Sequence, residues 1–157
     1  VIRSLARMNH VNELSIVLMF DSDDIEASLN KIEEVKTVLE DISHAGFKIA
    51  LILQDTELTL PNVIYALFDY YLVDERLLKK TYKNERNRVY LLSALGKLLR
   101  YKRPIILSDM TNWSDIEYFV RAGVDYISSD EISKKSQMIL PIEKKKAQKI
   151  TNLIRKR

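Results

Sequence analysis

The chain has 157 residues, 46% of them apolar, with 25 Lys and Arg against 22 Asp and Glu, which allows one domain with a substantial core. It holds no cysteine and only two histidines, His10 and His44, which excludes disulfides, thiolate chemistry and a histidine-rich metal site. No apolar run approaches the roughly 20 residues of a membrane span and no signal-peptide pattern opens the chain, so a cytoplasmic location is expected.

The sequence begins at Val1 inside what reads as a helix, VIRSLARM, and is expected to be a piece of something longer. Residues 14–20 (LSIVLMF) form a first strand, apolar apart from Ser15. Asp21, Ser22, Asp23 and Asp24 then supply oxygens and negative charge for a helix start. Ile25, Leu29, Ile32, Val35, Leu39 and Ile42 recur at helical spacing, predicting one amphipathic helix over 24–45 that ends at Gly46. Residues 47–53 are nearly unbroken apolar, the mark of a strand buried on both faces of a parallel sheet. A short helix over 58–67 and a strand over 68–73 complete a β-α-β unit. Such a unit closes right-handed and leaves the strand ends, Gln54-Asp55 and Asp74-Glu75, on a common face.

Val89, Leu92, Leu95 and Leu99 share one side of a helix over 87–101, and Pro104 prevents its continuation. Residues 105–107 are a strand ending at Ser108-Asp109. Ser114-Asp115-Ile116-Glu117 fits a capping box for a helix ending near Gly123. Residues 124–127 form the fifth strand, 128–140 a loop and 142–154 a lysine-rich helix. Five strands separated mostly by helices predict an α/β fold with one parallel sheet, strands in chain order, 14–20 at one edge and 124–127 at the other. Periodicity leaves open whether the sheet is open or an arc of a (β/α)8 barrel, which five strands cannot close.

Charge is uneven. Residues 1–74 hold 5 basic and 13 acidic side chains, residues 75–103 hold 10 and 2, residues 104–133 hold 1 and 6, and residues 134–157 hold 9 and 1. Two basic blocks in an acidic chain suit acidic partners or solvated helix faces. Tyr70, Tyr71, Tyr82, Tyr90 and Tyr101 lie in or beside the first basic block, but tyrosines at helical spacing commonly pack against a core, so nucleic acid is not expected as a ligand. Ser108, Ser128 and Ser129 have no histidine near an adjacent strand end, which argues against a Ser-His device. The three glycines are too scattered for a phosphate-cradling loop. Trp113, before a helix start, suits closure of the core.

Taken together, these strand ends resemble about two-thirds of an EAL domain, the bacterial cyclic-di-GMP phosphodiesterase barrel. LSIVLMF looks like that family's L-x-L-E-I-T-E strand, and HAGFKIALILQD stands where the family has a Gly followed by K-I-A-L-D-D-F-G. FDYYLVDERLL is similar to its D-Y-I-K-I-D-R strand, and PIILSDMTNWSDIEYFVRAGVDYISSDEIS follows its A-E-G-V-E-T segment through to the Q-G strand. The match spans residues 14–133. It implies that residues 1–157 are a single EAL-like domain, a partial (β/α)8 barrel of five β/α units whose N-terminal strands are missing.

EAL enzymes hold two divalent cations with carboxylates, an Asn and a Gln, and a Lys helps to position the water. The resemblance puts the Glu of the first strand motif on Val17 and the two Asp of D-D-F-G on Ile52 and Leu53. It puts the Lys of K-I-D on Leu72, and keeps that motif's Asp as Asp74. The two Glu of E-G-V-E fall on Ser108 and Thr111, and the Gln of Q-G on Ser128. Holding two dications needs several converging oxygen anions, and Val17, Ile52 and Leu53 offer no lone pair. Asp55, Asp74 and Asp109 remain near the predicted face, where they read as cap and loop carboxylates. The expectation is a degenerate, non-catalytic EAL-like domain, not an enzyme, acting as a regulatory or protein-interaction module in cyclic-di-GMP signalling. No cofactor or metal is expected, and cyclic-di-GMP is not expected to bind; the partner is a protein or another copy of the chain. The alternatives are an active phosphodiesterase and a nucleotide sensor that works without metal.

Overall fold

The computed structural model describes residues 16–134 and 142–155. The predicted helix at VIRSLARM, and Leu14 and Ser15 of the first predicted strand, lie outside the described residues. So do residues 135–140 of the loop predicted over 128–140.

Five strands form one sheet in the order β1-β2-β3-β4-β5: β1 (Val17–Asp21), β2 (Lys48–Leu53), β3 (Tyr70–Val73), β4 (Ile105–Leu107) and β5 (Tyr126–Ile127). Every pairing is parallel. This is the predicted α/β arrangement, with the predicted strands at the two edges. Among the described residues the sheet is an open arc of five strands. The helices are α1 (Ser22–Ala27), α2 (Ile32–His44), α3 (Asn62–Leu67), α4 (Glu75–Lys83), α5 (Glu85–Leu98), α6 (Trp113–Arg121) and α7 (Lys144–Arg155).

Side chains alternate between the two faces of a strand, so the register sorts them into two sets. One set, Ile49, Leu51 and Leu53 with Tyr71, Val73, Ile105 and Leu107, is at most 2% exposed. It packs in one core with Ile25, Leu39, Ile64, Leu78, Leu91 and Phe119 from the helices. The opposite face carries Met19, Ala50 and Tyr70 in one row and Ile52, Leu72, Ile106 and Tyr126 in the next. It is much less covered: Met19 is 60% exposed and Tyr126 57%, while Ile52, Leu72 and Ile106 are half-buried. A parallel sheet ordinarily has both faces covered.

The helix predicted over 24–45 is two helices. Ser28 leaves helical geometry at φ −102° and ψ 7°, and a 3-10 turn over Leu29–Lys31 separates α1 from α2. The Ser28 hydroxyl donates to the Asp24 carbonyl at 3.0 Å, a local bond that competes with the helix ladder. The end is as predicted: Gly46 takes φ 93° and Phe47 N–H reaches back to the Ile42 carbonyl at 3.3 Å. The helix predicted over 58–67 starts only at Asn62, because Pro61 disfavours helical geometry at Leu60. At α6 the cap is Asn112, whose side chain accepts from Asp115 N–H at 2.8 Å, and the predicted Ser114 lies inside the first turn.

At the N-terminal end of the sheet, Asp69 accepts from Lys48 Nζ at 2.8 Å and from Ile49 N–H at 3.1 Å. This hydrogen bond and its charge hold the Lys48 ammonium above the ordinary lysine pKa. Tyr71, fully buried, donates its hydroxyl to the Tyr65 carbonyl at 2.8 Å, and burial pushes its phenol far above the usual value of 10.0.

Candidate functional site

In a parallel α/β protein a site lies where the strands end, and here those ends carry Asp21, Gln54, Asp74, Ser108 and Ser128. The register fixes what lies just below them. Asp21 sits opposite Ile52, Ile52 opposite Leu72, Leu72 opposite Ile106, and Ile106 opposite Tyr126. Apart from Asp21 and the hydroxyl of Tyr126, the row is hydrocarbon.

Several polar groups at the rim are engaged with their own chain. Asp74 caps α4, accepting from Arg76 N–H at 2.7 Å. Asp55 closes a tight turn, accepting from the N–H groups of Thr56 and Glu57 at 2.6 and 3.1 Å. Gln54 N–H donates to Ser22 Oγ at 3.2 Å, and with its amide turned so that the nitrogen meets an acceptor, Gln54 donates to Asp23 Oδ2 at 2.8 Å. Ser129 Oγ donates to the Met110 carbonyl at 2.6 Å and accepts from Glu131 N–H. That pair of bonds pins the segment after β5 to the one after β4.

Two clefts open between these loops. One, about 230 Å³, is lined by Asp23, Gln54, Asp74, Arg76 and Lys80. The other, about 340 Å³, is lined by Glu75, Lys79, Asp109, Met110, Thr111 and Asp130 among others. In the second, Lys79 pairs with Glu75 at 2.5 Å, and Asp109 takes a left-handed backbone at φ 58°. Among the described residues, no group of three or more His, Cys, Asp or Glu is placed to hold a metal ion.

Of the positions singled out in the sequence, Ile52 and Leu72 lie side by side, with Ser108 and Ser128 just beyond β4 and β5. Thr111 and Asp109 share the second cleft. Asp74 lines the first cleft, and Asp55 lies beyond β2 in a smaller one with Lys80. Two positions are not brought to this face. Val17 opens β1 level with Lys48, four residues before the strand's end, and Leu53 turns into the helix-side core at 1% exposure. Asp21, Arg76 and Lys80 were missed. The four-residue spacing of Arg76 and Lys80 after an N-cap aspartate was a readable signal, whereas Asp21 needed the strand register. His44 closes α2 before β2 begins, at the opposite end of the sheet from Ser108 and Ser128.

No protein-family model and no curated protein sequence matches this chain. Solved structures do match its fold. The PaMucR phosphodiesterase, in complex with c-di-GMP, superposes with a TM-score of 0.67 at 13% identity, covering 85% of this chain and 53% of that one. A standalone EAL protein of Vibrio cholerae O395, in its c-di-GMP bound form, gives 0.64 at 12% identity over 92% of this chain and 61% of its own. The Bacillus subtilis YkuI protein, with an EAL domain and in complex with c-di-GMP and calcium, gives 0.69 at 18% identity. That match covers 99% of this chain and 38% of the other. The chain thus has the fold of part of an EAL-type barrel and spans 38–61% of the length of these structures.

Proposed function

We propose that residues 1–157 belong to one EAL-type domain that has lost phosphodiester hydrolysis and serves as a regulatory, protein-interacting module in cyclic-di-GMP signalling. A cytoplasmic location goes with that reading. One observation carries it: the row Ile52–Leu72–Ile106, at the end of the sheet where a site would lie, offers hydrocarbon in place of anions.

Calcium accompanies c-di-GMP in the Bacillus subtilis structure, so the donor set here is the test of fit. A hard dication takes six or more oxygen ligands, several of them anionic. Ile52, Leu53 and Leu72 supply none, Asp74 accepts an N–H at its helix cap, Asp23 faces the Gln54 amide, and Asp21 is the one anion in its row. These residues do not fit a two-metal centre. Placing a dication beside Ile52 and Leu72 would remove its hydration without replacing it.

A second reading, a nucleotide sensor that needs no metal, draws support from Arg76 and Lys80. Both line the cleft at the ends of β2 and β3, where cations could meet a phosphate directly. Calorimetric titration with cyclic-di-GMP, with and without Mg²⁺, separates the readings. Silence in both favours the interaction module, and heat independent of Mg²⁺ favours the sensor. Heat that requires Mg²⁺ contradicts both.

A further inference from the structure

The two edges of the sheet are both apolar and of opposite charge. At the first, Phe20, Ile25, Val35, Val38 and Leu39 line a groove of about 360 Å³ beside β1. Val38 in this groove is 53% exposed, and Met19, 60% exposed, adds apolar surface on the other face of the same edge strand. Asp24, Glu34 and Lys31 border the groove, and residues 21–41 carry eight acidic and two basic side chains. Both of those bases, Lys31 and Lys36, lie beside acids of the same helix, Glu34 and Glu40.

At the second edge, Ile116, Val120, Tyr126, Ile142, Ile150 and Ile154 line a groove of about 410 Å³ between α6, β5 and α7. Tyr126 and Ile154 are each 57% exposed and Ile142 is 43% exposed. The helix above it carries Lys144, Lys145, Lys146, Lys149 and Arg155, and residues 142–155 contain a single acid, Glu143. Lys149 stacks on Trp113 at 4.1 Å, while Lys144, Lys145 and Arg155 are exposed. Among the described residues, β1 pairs only with β2 and β5 only with β4, so each edge also presents an unpaired strand.

We propose that copies of this chain associate head to tail, the acidic β1/α2 edge of one molecule against the basic β5/α7 edge of a second. The match is of three kinds. Apolar groove meets apolar groove, anions meet cations, and a parallel edge strand meets another that continues the same strand order. The contact is heterologous: the two surfaces belong to different ends of the molecule, so each copy retains one open edge and growth is open-ended unless the rotation closes a ring. Identical edges meeting across a two-fold axis would bring like charge to like, which costs energy instead. The inference rests on the edge chemistry and is independent of whether the site binds nucleotide.

The test uses the 157-residue chain and sedimentation equilibrium, with two paired substitutions confined to exposed positions. Met19→Lys with Val38→Lys blocks the first edge, and Tyr126→Asn with Ile154→Asn strips the apolar contact from the second without adding cations that the acidic edge would attract. Circular dichroism checks that each variant stays folded. The wild type is expected to rise above its 18.3 kDa monomer mass as concentration increases, and to fall back at high salt. Each variant alone is expected to remain a monomer, because its one working edge finds only blocked partners. The one-to-one mixture is expected to reach twice the monomer mass and stop there. Three results would overturn the proposal: a wild type monomeric at every concentration, a variant that associates alone as the wild type does, or a mixture that stays monomeric.

Discussion

At the scale of single residues, the face a side chain takes decides what a substitution does. Leu53 and Ile52 are neighbours in β2, yet Leu53 is 1% exposed in the helix-side core and Ile52 is half-buried on the other face. Leu53→Asp puts a carboxylate among hydrocarbon and is expected to cost about 4 kcal/mol or more. Ile52→Asp lies opposite Asp21, with water within reach, and is expected to cost about 1–2 kcal/mol. Urea unfolding of the two variants measures the contrast, and equal losses would contradict the assigned faces. The resemblance could place both residues at the family's carboxylate pair but could not tell their faces apart. The same limit moved Val17 away from the strand ends and hid Asp21, because register belongs to the partner strand and is not written in the strand itself.

Tyr71 gives a second residue-scale prediction. Its hydroxyl donates to the Tyr65 carbonyl, which also accepts from Phe68 N–H at 3.3 Å, so Tyr71→Phe leaves no carbonyl unpaired. A loss of about 1 kcal/mol is expected. The pH dependence has a definite sign. Below the ordinary phenol pKa of 10.0 the group is protonated whether folded or unfolded, and its contribution is fully present. Above that pH the unfolded chain releases a proton that the buried phenol retains, so stability falls as pH rises towards the raised folded value. Lys48, also raised, acts in the same direction from its ordinary value of 10.5 upward, as its bond to Asp69 is lost. Urea midpoints at about pH 8 and about pH 11 are expected to differ less in Tyr71→Phe than in the wild type.

At the scale of elements, the contacts that join them set the expectations. Asp115 of α6, 3% exposed, pairs with Arg88 of α5 at 2.9 Å and accepts from Asn112 Nδ2 at 2.6 Å. Arg88 also lies over the Tyr118 ring at 5.4 Å. Asp115→Ala removes a helix contact and leaves a guanidinium without its anion. Because the Arg88 side chain keeps 29% of its exposure, the expected loss is about 2–3 kcal/mol, below that of a fully enclosed pair. Adding Arg88→Met should recover part of it in urea melts.

Gly46, at φ 93°, has open space where a Cβ would go, so the cost of Gly46→Ala is backbone strain alone, about 1–2 kcal/mol. A neutral result in thermal melts would mean that the turn relaxes to negative φ. This turn was legible, since a glycine after an apolar helical repeat has one common use. The break at Ser28 was not. A 3-10 turn keeps three-residue spacing, so the apolar repeat through Ile25, Leu29 and Ile32 runs across it undisturbed.

At the scale of the whole molecule, sheet order and direction were readable because nearly continuous apolar strands alternating with helices admit few other topologies. What could not be read was the imbalance between the faces, one sealed by helices and the other carrying Met19, Ile52, Leu72 and Tyr126 towards solvent. That imbalance links fold to function in this account. The face that closes on itself in a complete barrel is here a largely apolar surface, ending in a row where Ile52, Leu72 and Ile106 stand beside one carboxylate, Asp21. The most direct measurement is turnover of cyclic-di-GMP by the purified chain with Mg²⁺ or Mn²⁺, the linear dinucleotide being resolved by chromatography. The account predicts no product above a protein-free control with either ion. Product formation abolished by a chelator would contradict it, and would require the metal to be held by Asp21, Asp74 or other groups assigned here to caps and loops.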